Sequence, residues 1–404
     1  MPQFIPLQFY KFNGSKPEIV PEKVISPPYD VLSSEDKDQL SRQIFNIVHI
    51  DSPKSYEDAS SKLDSWISEK ILIRDSQPEF YIMATEYKAG DEKRIRWGIF
   101  GGLKVHPFED KKVFPHEQTY PKAKDDRLKL MQATKGQLSP IFGIYDDPDL
   151  IMEGIGQECS GQSPIIEFTQ EPGVVNRVWN IPEKFNDAIQ NILEHKKVFI
   201  ADGHHRYETA INYQKMMPGN PDAPWNHIFT YLSNISSPGL EIFPYHRIVS
   251  WKKNFNWEEV LSEAQKDFHI TQSSGFSTQA SLDHPNSFAL VYDQGSALFV
   301  PKKQPDNTFE HIGAYILDKL MLRKAMILND RDLASGEFLS YTHDQNKVLE
   351  EVKSKKSQAG FILKSVPMNI LQDVCEMGEV MPRKSTYFYP KLPTGVLLHL
   401  WGYK

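Results

Sequence analysis

The chain has 404 residues, 40% of them hydrophobic and 25% charged, with a formal net charge of −7. That is ordinary globular composition, long enough for two or three folding units. A mean hydropathy of −0.48 without an apolar run of about 18 residues argues against a membrane-spanning helix. The acidic balance disfavours a nucleic-acid partner, and two cysteines, Cys159 and Cys375, exclude a disulfide framework and a thiolate zinc cluster. Sparse cysteine points to a reducing, cytoplasmic setting, and the opening Met1-Pro2-Gln3-Phe4-Ile5-Pro6 has no basic stretch leading into an apolar one.

A short strand opens the chain over Gln3 to Tyr10, and Pro27 and Pro28 then hold the segment 23–31 extended. Ser33 or Ser34 caps a helix to about Arg42, and a second helix covers Tyr56 to Lys70 with Ala59, Leu63, Trp66 and Ile67 at helical spacing. Phe80 to Tyr87 and Arg94 to Phe100 read as a hairpin around Gly90-Asp91. Asp125 or Asp126 caps a helix that Gly136 ends, and Ser139 to Tyr145 is a buried strand. The apolar strand Lys197 to Ala201 runs into Asp202-Gly203-His204-His205-Arg206 and then a helix with Tyr207, Ala210, Ile211 and Met217 on one side. Ile228 to Ile235 and Leu240 to Ile248 follow as strands. Helices (Glu258 to Asp267, Gly313 to Leu322) then alternate with strands (Ser287 to Tyr292, Ser296 to Val300, Gly360 to Leu363). Hairpins outnumber strand-helix-strand units, so the fold class is mixed α/β, α+β rather than doubly wound.

Chemistry concentrates at the strand-to-helix junction 201–206. Gly203 permits a tight turn, and the free N–H groups and dipole of the following helix favour an anion there. Arg206 suits a bidentate grip on phosphate, with Asp202 and Gly203 beside it, while His204 or His205 can move a proton. A second cluster spans residues 116–127, with Glu117 or Asp126 as candidate base and Lys122, Lys124 or Arg127 as candidate phosphate contacts. Asp30, presented by Pro27-Pro28-Tyr29, is a third candidate, as catalytic base or metal ligand. Lys384, Ser385 and Thr386, following Arg383, resemble a phosphate grip. Adjacent histidines rarely face one ion and no third ligand stands at helical spacing, so no metal site is assigned. Magnesium carried by a nucleotide would need few protein ligands. The chain has no Gly-Lys-Ser/Thr phosphate loop, nucleophile elbow or Rossmann fingerprint.

These stretches resemble the domain of unknown function 1015 family. They are Pro27-Pro28-Tyr29-Asp30-Val31, His116-Glu117 through Asp126-Arg127-Leu128, Ser139-Pro140-Ile141-Phe142, Ala201 through Ala210, and Lys384 through Lys391. Arg383 stands where a proline is expected before the lysine. The Asp-Gly-His-His-Arg junction is also similar to the ParB/sulfiredoxin-like superfamily, whose branches include free-serine kinases. That likeness implies a mixed core of sheet and helices with family-specific elaborations. It also implies nucleotide phosphates bound at the turn, and a link to serine metabolism. Without a cysteine near the junction, it implies phosphoryl transfer or nucleotide hydrolysis rather than sulfinic-acid repair.

The expected organisation is a phosphate-binding core over 1–250 and an α/β region over 251–404 whose tail returns to the site. The expected function is a phosphotransferase or phosphatase acting on a small phosphorylated metabolite, with serine or O-phosphoserine as first substrate. The alternatives are a nucleotide-binding regulatory module and a metal-dependent hydrolase. A homo-oligomer is left open.

Overall fold

The computed structural model describes residues 2–117, 119, 121–250, 255–275, 286–334 and 338–403, without the side chains of 121–123 and 334. It has the mixed α/β class expected, in two compact units. The first takes the chain up to Pro115, then Thr119–Glu241, then Pro390 onward; the second takes His116, Glu117 and Ile242–Tyr389. Among the described residues no helix is long and apolar enough to cross a membrane.

The first unit is built on a nine-stranded sheet. Its strands are β1 (Phe4–Ile5), β2 (Tyr81–Ala89), β3 (Glu92–Lys104), β4 (Val113–Phe114), β5 (Ile141–Tyr145), β6 (Ile166–Glu171), β7 (Val174–Asn180), β8 (Val198–Asp202) and β9 (His227–Asn234). They lie in the order β4-β8-β5-β9-β3-β2-β7-β6, with β1 added against β3. The β4–β8 and β5–β9 pairs are parallel. The predicted hairpin is β2–β3, with Ala89 opposite Glu92 across the Gly90-Asp91 turn.

Five helices of this unit matter here: α1 (Ser34–Leu40), α2 (Tyr56–Ser68), α3 (Pro121–Thr134), α4 (Ile151–Cys159) and α5 (His204–Met216). Ser33 caps α1 in a reciprocal capping box with Asp36, and Ser55 caps α2. The α3 helix starts at Pro121, ahead of the predicted cap Asp125 or Asp126, because a proline loses nothing in a first turn whose N–H groups have no helical partner. Its stop falls on Lys135, at φ 45°, and Gly136 instead begins a short pairing with Leu400. The buried side of α5 is Tyr207, Ala210, Ile211 and Tyr213; Met217 has left the helix, with extended backbone.

One sheet face carries Trp97, Ile99, Ile141, Ile200 and Leu232 into a core closed by Met152 and Ile155 of α4 and by Tyr207 and Ile211 of α5. The α4 helix was not anticipated, since two glycines interrupt its pattern. Gly156 is there for close approach: a Cβ would stand 2.4 Å from the Trp97 ring. The other face is aromatic, with Phe229, Phe100, Tyr231 and Phe142 in contact one to the next.

The second unit has a six-stranded sheet of β10 (His246–Val249), β11 (Phe268–Ser273), β12 (Phe288–Tyr292), β13 (Gly295–Pro301), β14 (Leu339–Thr342) and β15 (Ala359–Leu363). The order is β11-β13-β12-β15-β10-β14, antiparallel throughout. Ile248, Val291 and Ile362 pack there with Val348 and Val352 of α7 (Gln345–Lys353), which follows α6 (Trp257–Ala264). The strand predicted over Leu240 to Ile248 is two strands, Glu241–Phe243 and β10, because Pro244 cannot donate to a ladder. The helix predicted over Gly313 to Leu322 is α-helical only to Ile316 and continues to Ala325 with wider turns. There Leu317, Met321 and Ala325 are buried at every fourth residue, and bonds such as Met326 N–H to the Met321 carbonyl keep that longer repeat facing inward.

Candidate functional site

The apolar run Val198 to Ala201 buries β8 and delivers Asp202 to the C-terminal end of the strand, at the α5 junction. Gly203 turns the chain at φ 92°, a left-handed conformation that side chains resist. A Cβ there would also lie 3.0 Å from both Arg206 Nε and Ile141 Cγ2, so the glycine makes room for the arginine that folds back across it. Tyr207, fully buried, pins the first turn of α5: its hydroxyl accepts the His106 N–H at 3.1 Å and donates to the His106 carbonyl at 3.0 Å.

Asp202 is the electrostatic centre of the junction. Its Oδ1 accepts the Gly203 N–H at 2.7 Å, and its Oδ2 accepts from Lys391 Nζ at 2.9 Å. Arg206 Nη2 stands 3.9 Å from Oδ1. Burial alone would raise this carboxyl's pKa, but Lys391 and Arg206 outweigh it and hold the group well below the usual carboxylate range. At neutral pH Asp202 is thus an anion between two cations. Arg206 Nη1 donates to Ser139 Oγ at 3.2 Å and to the Pro140 carbonyl. His204 is buried and lies within electrostatic reach of Asp202, while His205 is half-buried.

Arg206 also lines a cavity of about 40 Å³ with Asp51, Arg127, Ser139 and Thr209. That volume suits a few water molecules. Arg127 is committed on every nitrogen: Nη1 to the Asp51 carbonyl (2.8 Å) and Oδ1 (3.2 Å), Nε and Nη2 to Asp126 Oδ2 at 2.9 and 2.7 Å. Its guanidinium sits 4.1 Å from the Tyr29 ring centre. Burial pushes the Asp51 carboxyl up despite Arg127 and Arg206, and pushes the Tyr29 phenol up to about 12. Asp30 is exposed in the turn after Tyr29 and within electrostatic reach of Tyr29 and Asp51. The first unit therefore gathers Asp30, Arg127, Asp202, Gly203, His204, His205 and Arg206.

Lys122 falls in the first turn of α3, and its side chain lies outside the described residues. Its neighbour Lys124 pairs with Glu208 at 2.6 Å, and Thr119 donates to the same carboxylate at 2.7 Å, which ties this segment to α5. Glu117, Lys384, Ser385 and Thr386 belong to the second unit. There the Lys384 N–H donates to Glu117 Oε1 at 3.4 Å, Thr386 Oγ1 lies 2.9 Å from buried His116 Nε2, and Lys384 Nζ lies 4.8 Å from the Tyr245 ring centre. Among the described residues no group of three or more His, Cys, Asp or Glu side chains is placed to hold a metal ion.

A family model described as "Protein of unknown function (DUF1015)" matches residues 6–321. The chain belongs to the DUF1015 family. No curated protein matches its sequence. Among solved structures it is similar to a free serine kinase in complex with AMP, at 14% identity and TM-score 0.40, over 72% of this chain and 86% of that one. A conserved hypothetical protein from Pyrococcus furiosus gives 14% and 0.38, over 74% and 93%. SbnI from Staphylococcus aureus, truncated at its C-terminus, gives 10% and 0.38, over 72% and 85%.

The DUF1015 match takes in every candidate from Asp30 to Arg206 and stops before Lys384 and Lys391. Lys391, which completes the junction, was not among the candidates drawn from the sequence, although it closes one of the family-like stretches. Neither was Asp51, one partner of Arg127; Asp126, the other partner, was a candidate base and is taken up by the Arg127 guanidinium instead. The only signal at Asp51 was charge, and charge alone does not tell a solvated residue from a buried partner.

Proposed function

We propose that this protein transfers or hydrolyses a phosphoryl group on a small phosphorylated metabolite, with serine or O-phosphoserine as the first substrate to test. The observation that supports this reading is the convergence of Arg206 and Lys391 on Asp202 at the start of α5. The first-turn N–H groups of a helix lack helical partners and attract anions. Two cations against one carboxylate add a net positive charge there, and Asp202 orients both. Such a fixed electropositive cradle is what phosphoryl transfer needs from a protein, because its transition state is stabilised mainly by positioning and charge.

In this reading Arg206, Lys391 and the helix N–H groups hold phosphate. His205, less buried than His204, carries the proton, and exposed Asp30 activates the acceptor hydroxyl or water. A nucleotide donor would bring magnesium. Asp51 and Asp202 are already taken up by Arg127 and Lys391, so phosphate oxygens would supply most of the ion's ligands.

The test is a thermal-shift screen of ADP, ATP, inorganic phosphate and phosphoserine, with and without magnesium, on wild type and Arg206→Ala, followed by turnover assays. A midpoint rise in wild type that disappears in the variant supports the site, since only ligands of the folded form stabilise it. Turnover lost in His205→Ala supports the chemistry. Binding without turnover would favour a nucleotide-responsive regulator, and no shift from any phosphate compound would overturn the proposal.

A further inference from the structure

A sheet face buried beneath a covering segment is ordinarily apolar. One row across the first unit's sheet is polar instead. Asn176 on β7, Thr85 on β2 and Arg96 on β3 stand in register on neighbouring strands, and each is 0% exposed. Their hydrogen bonds run to one short piece of main chain. Arg96 Nη1 donates to the Pro390 carbonyl at 2.7 Å. Thr85 Oγ1 donates to Asn176 Oδ1 at 2.8 Å, Asn176 Nδ2 to Gln170 Oε1 at 3.1 Å, and Gln170 Nε2 to the Lys391 carbonyl at 2.9 Å. The peptide groups on both sides of the Lys391 Cα are therefore held from the sheet.

The row also shares a face with the site. Side chains alternate along a strand, so Arg96 points to the same side as Phe100. Phe100 is the register partner of Tyr231, Tyr231 of Phe142, and Phe142 of Asp202. The Arg96 guanidinium carbon lies 4.9 Å from the Phe142 ring centre and 5.7 Å from that of Tyr231. A buried arginine supported by a neutral carbonyl and two ring faces costs more than an apolar residue of similar volume. Tethering the C-terminal segment does not require that cost. Val396, Leu397 and Leu398 are already buried, and Leu398 exchanges main-chain bonds with Tyr10.

We infer that Arg96 and the relay Thr85–Asn176–Gln170 are positioning residues for Lys391, fixing its main chain so that its amine meets Asp202. How Lys391 is held does not depend on the phosphate reading; what its amine then does rests on that reading.

The test labels the lysines of the full-length protein with an amine-reactive reagent and reads each site by mass spectrometry in wild type, Gln170→Ala, Arg96→Lys and Arg96→Met. Exposed Lys93 serves as internal reference. Freeing Lys391 should raise its labelling relative to Lys93 by about tenfold in Gln170→Ala, the scale of one lost hydrogen bond. The rise should be larger in Arg96→Met and partly reversed in Arg96→Lys, with the circular dichroism of Gln170→Ala unchanged. Labelling of Lys391 equal to wild type in folded Gln170→Ala and Arg96→Lys would overturn the inference, even if Arg96→Met does not fold. Titration with inorganic phosphate separates the two readings. If wild type binds none while the labelling pattern holds, the phosphate site falls and the mount stands.

Discussion

Lys391 Nζ and Asp202 Oδ2 meet at 2.9 Å across a sequence separation of 189 residues, with both side chains largely buried. This pair joins the strand-to-helix junction to a piece of chain that returns to the first unit after the second is complete.

Breaking the pair should be costly. Lys391→Met leaves Asp202 buried beside Arg206, and a loss of about 3 kcal/mol at neutral pH is expected from removing one partner of a buried ion pair. Asp202 has a depressed folded pKa, so its stabilising contribution is present above the unfolded value and lost as pH falls toward the folded one. Urea denaturation should show the gap between wild type and Lys391→Met intact at pH 5 and closing below about pH 4. A gap independent of pH would mean that the pair does not carry it.

Gly203→Ala should cost about 1–2 kcal/mol for the left-handed backbone alone. The added methyl also crowds Arg206 Nε, so ligands that protect wild type thermally should protect this variant less. Chemical denaturation and ligand-dependent melting measure the two effects separately.

Arg127 is saturated by Asp51, Asp126 and the Tyr29 ring. Arg127→Met should destabilise by roughly 3–5 kcal/mol because Asp51 stays buried without its cation. Adding Asp51→Asn should recover part of that loss, and the double-mutant cycle gives the coupling.

His227 and His399, both in the first unit, have their pKa values pushed down to about 4, chiefly by burial. They fold neutral, so the unfolded chain binds more protons between pH 4 and its ordinary histidine value of about 6.5. Stability should therefore fall as pH drops through that window, by up to about 1.4 kcal/mol per pH unit for each histidine. His399→Gln should flatten the slope of stability against pH from 6.5 to 4.

The strand, glycine turn and helix around Asp202 were legible because they are local: an apolar run, one glycine and a helical repeat lie in one short stretch. The hairpin and the cap at Ser33 were legible for the same reason. What escaped depends on distant partners. Arg96 sits among Lys93 and Arg94 in a strand that reads as half-solvated, and only the return of Pro390 makes it interior. In α4, Gly154 and Gly156 suggest a loop, whereas Gly156 is a contact surface for Trp97. Lys391 is one lysine among many until Asp202 is brought to it.

The division of the chain has a consequence for its birth on the ribosome. Asp202 is synthesised long before Lys391, and at about 5–20 residues per second the intervening 189 residues take roughly 10–40 s. Throughout that interval the nascent first unit holds a buried-to-be Asp202 without Lys391 and a buried-to-be Arg96 without the Pro390 carbonyl. Its sheet can form early, but its electrostatics are settled only after translation has passed the second unit, so the junction matures last.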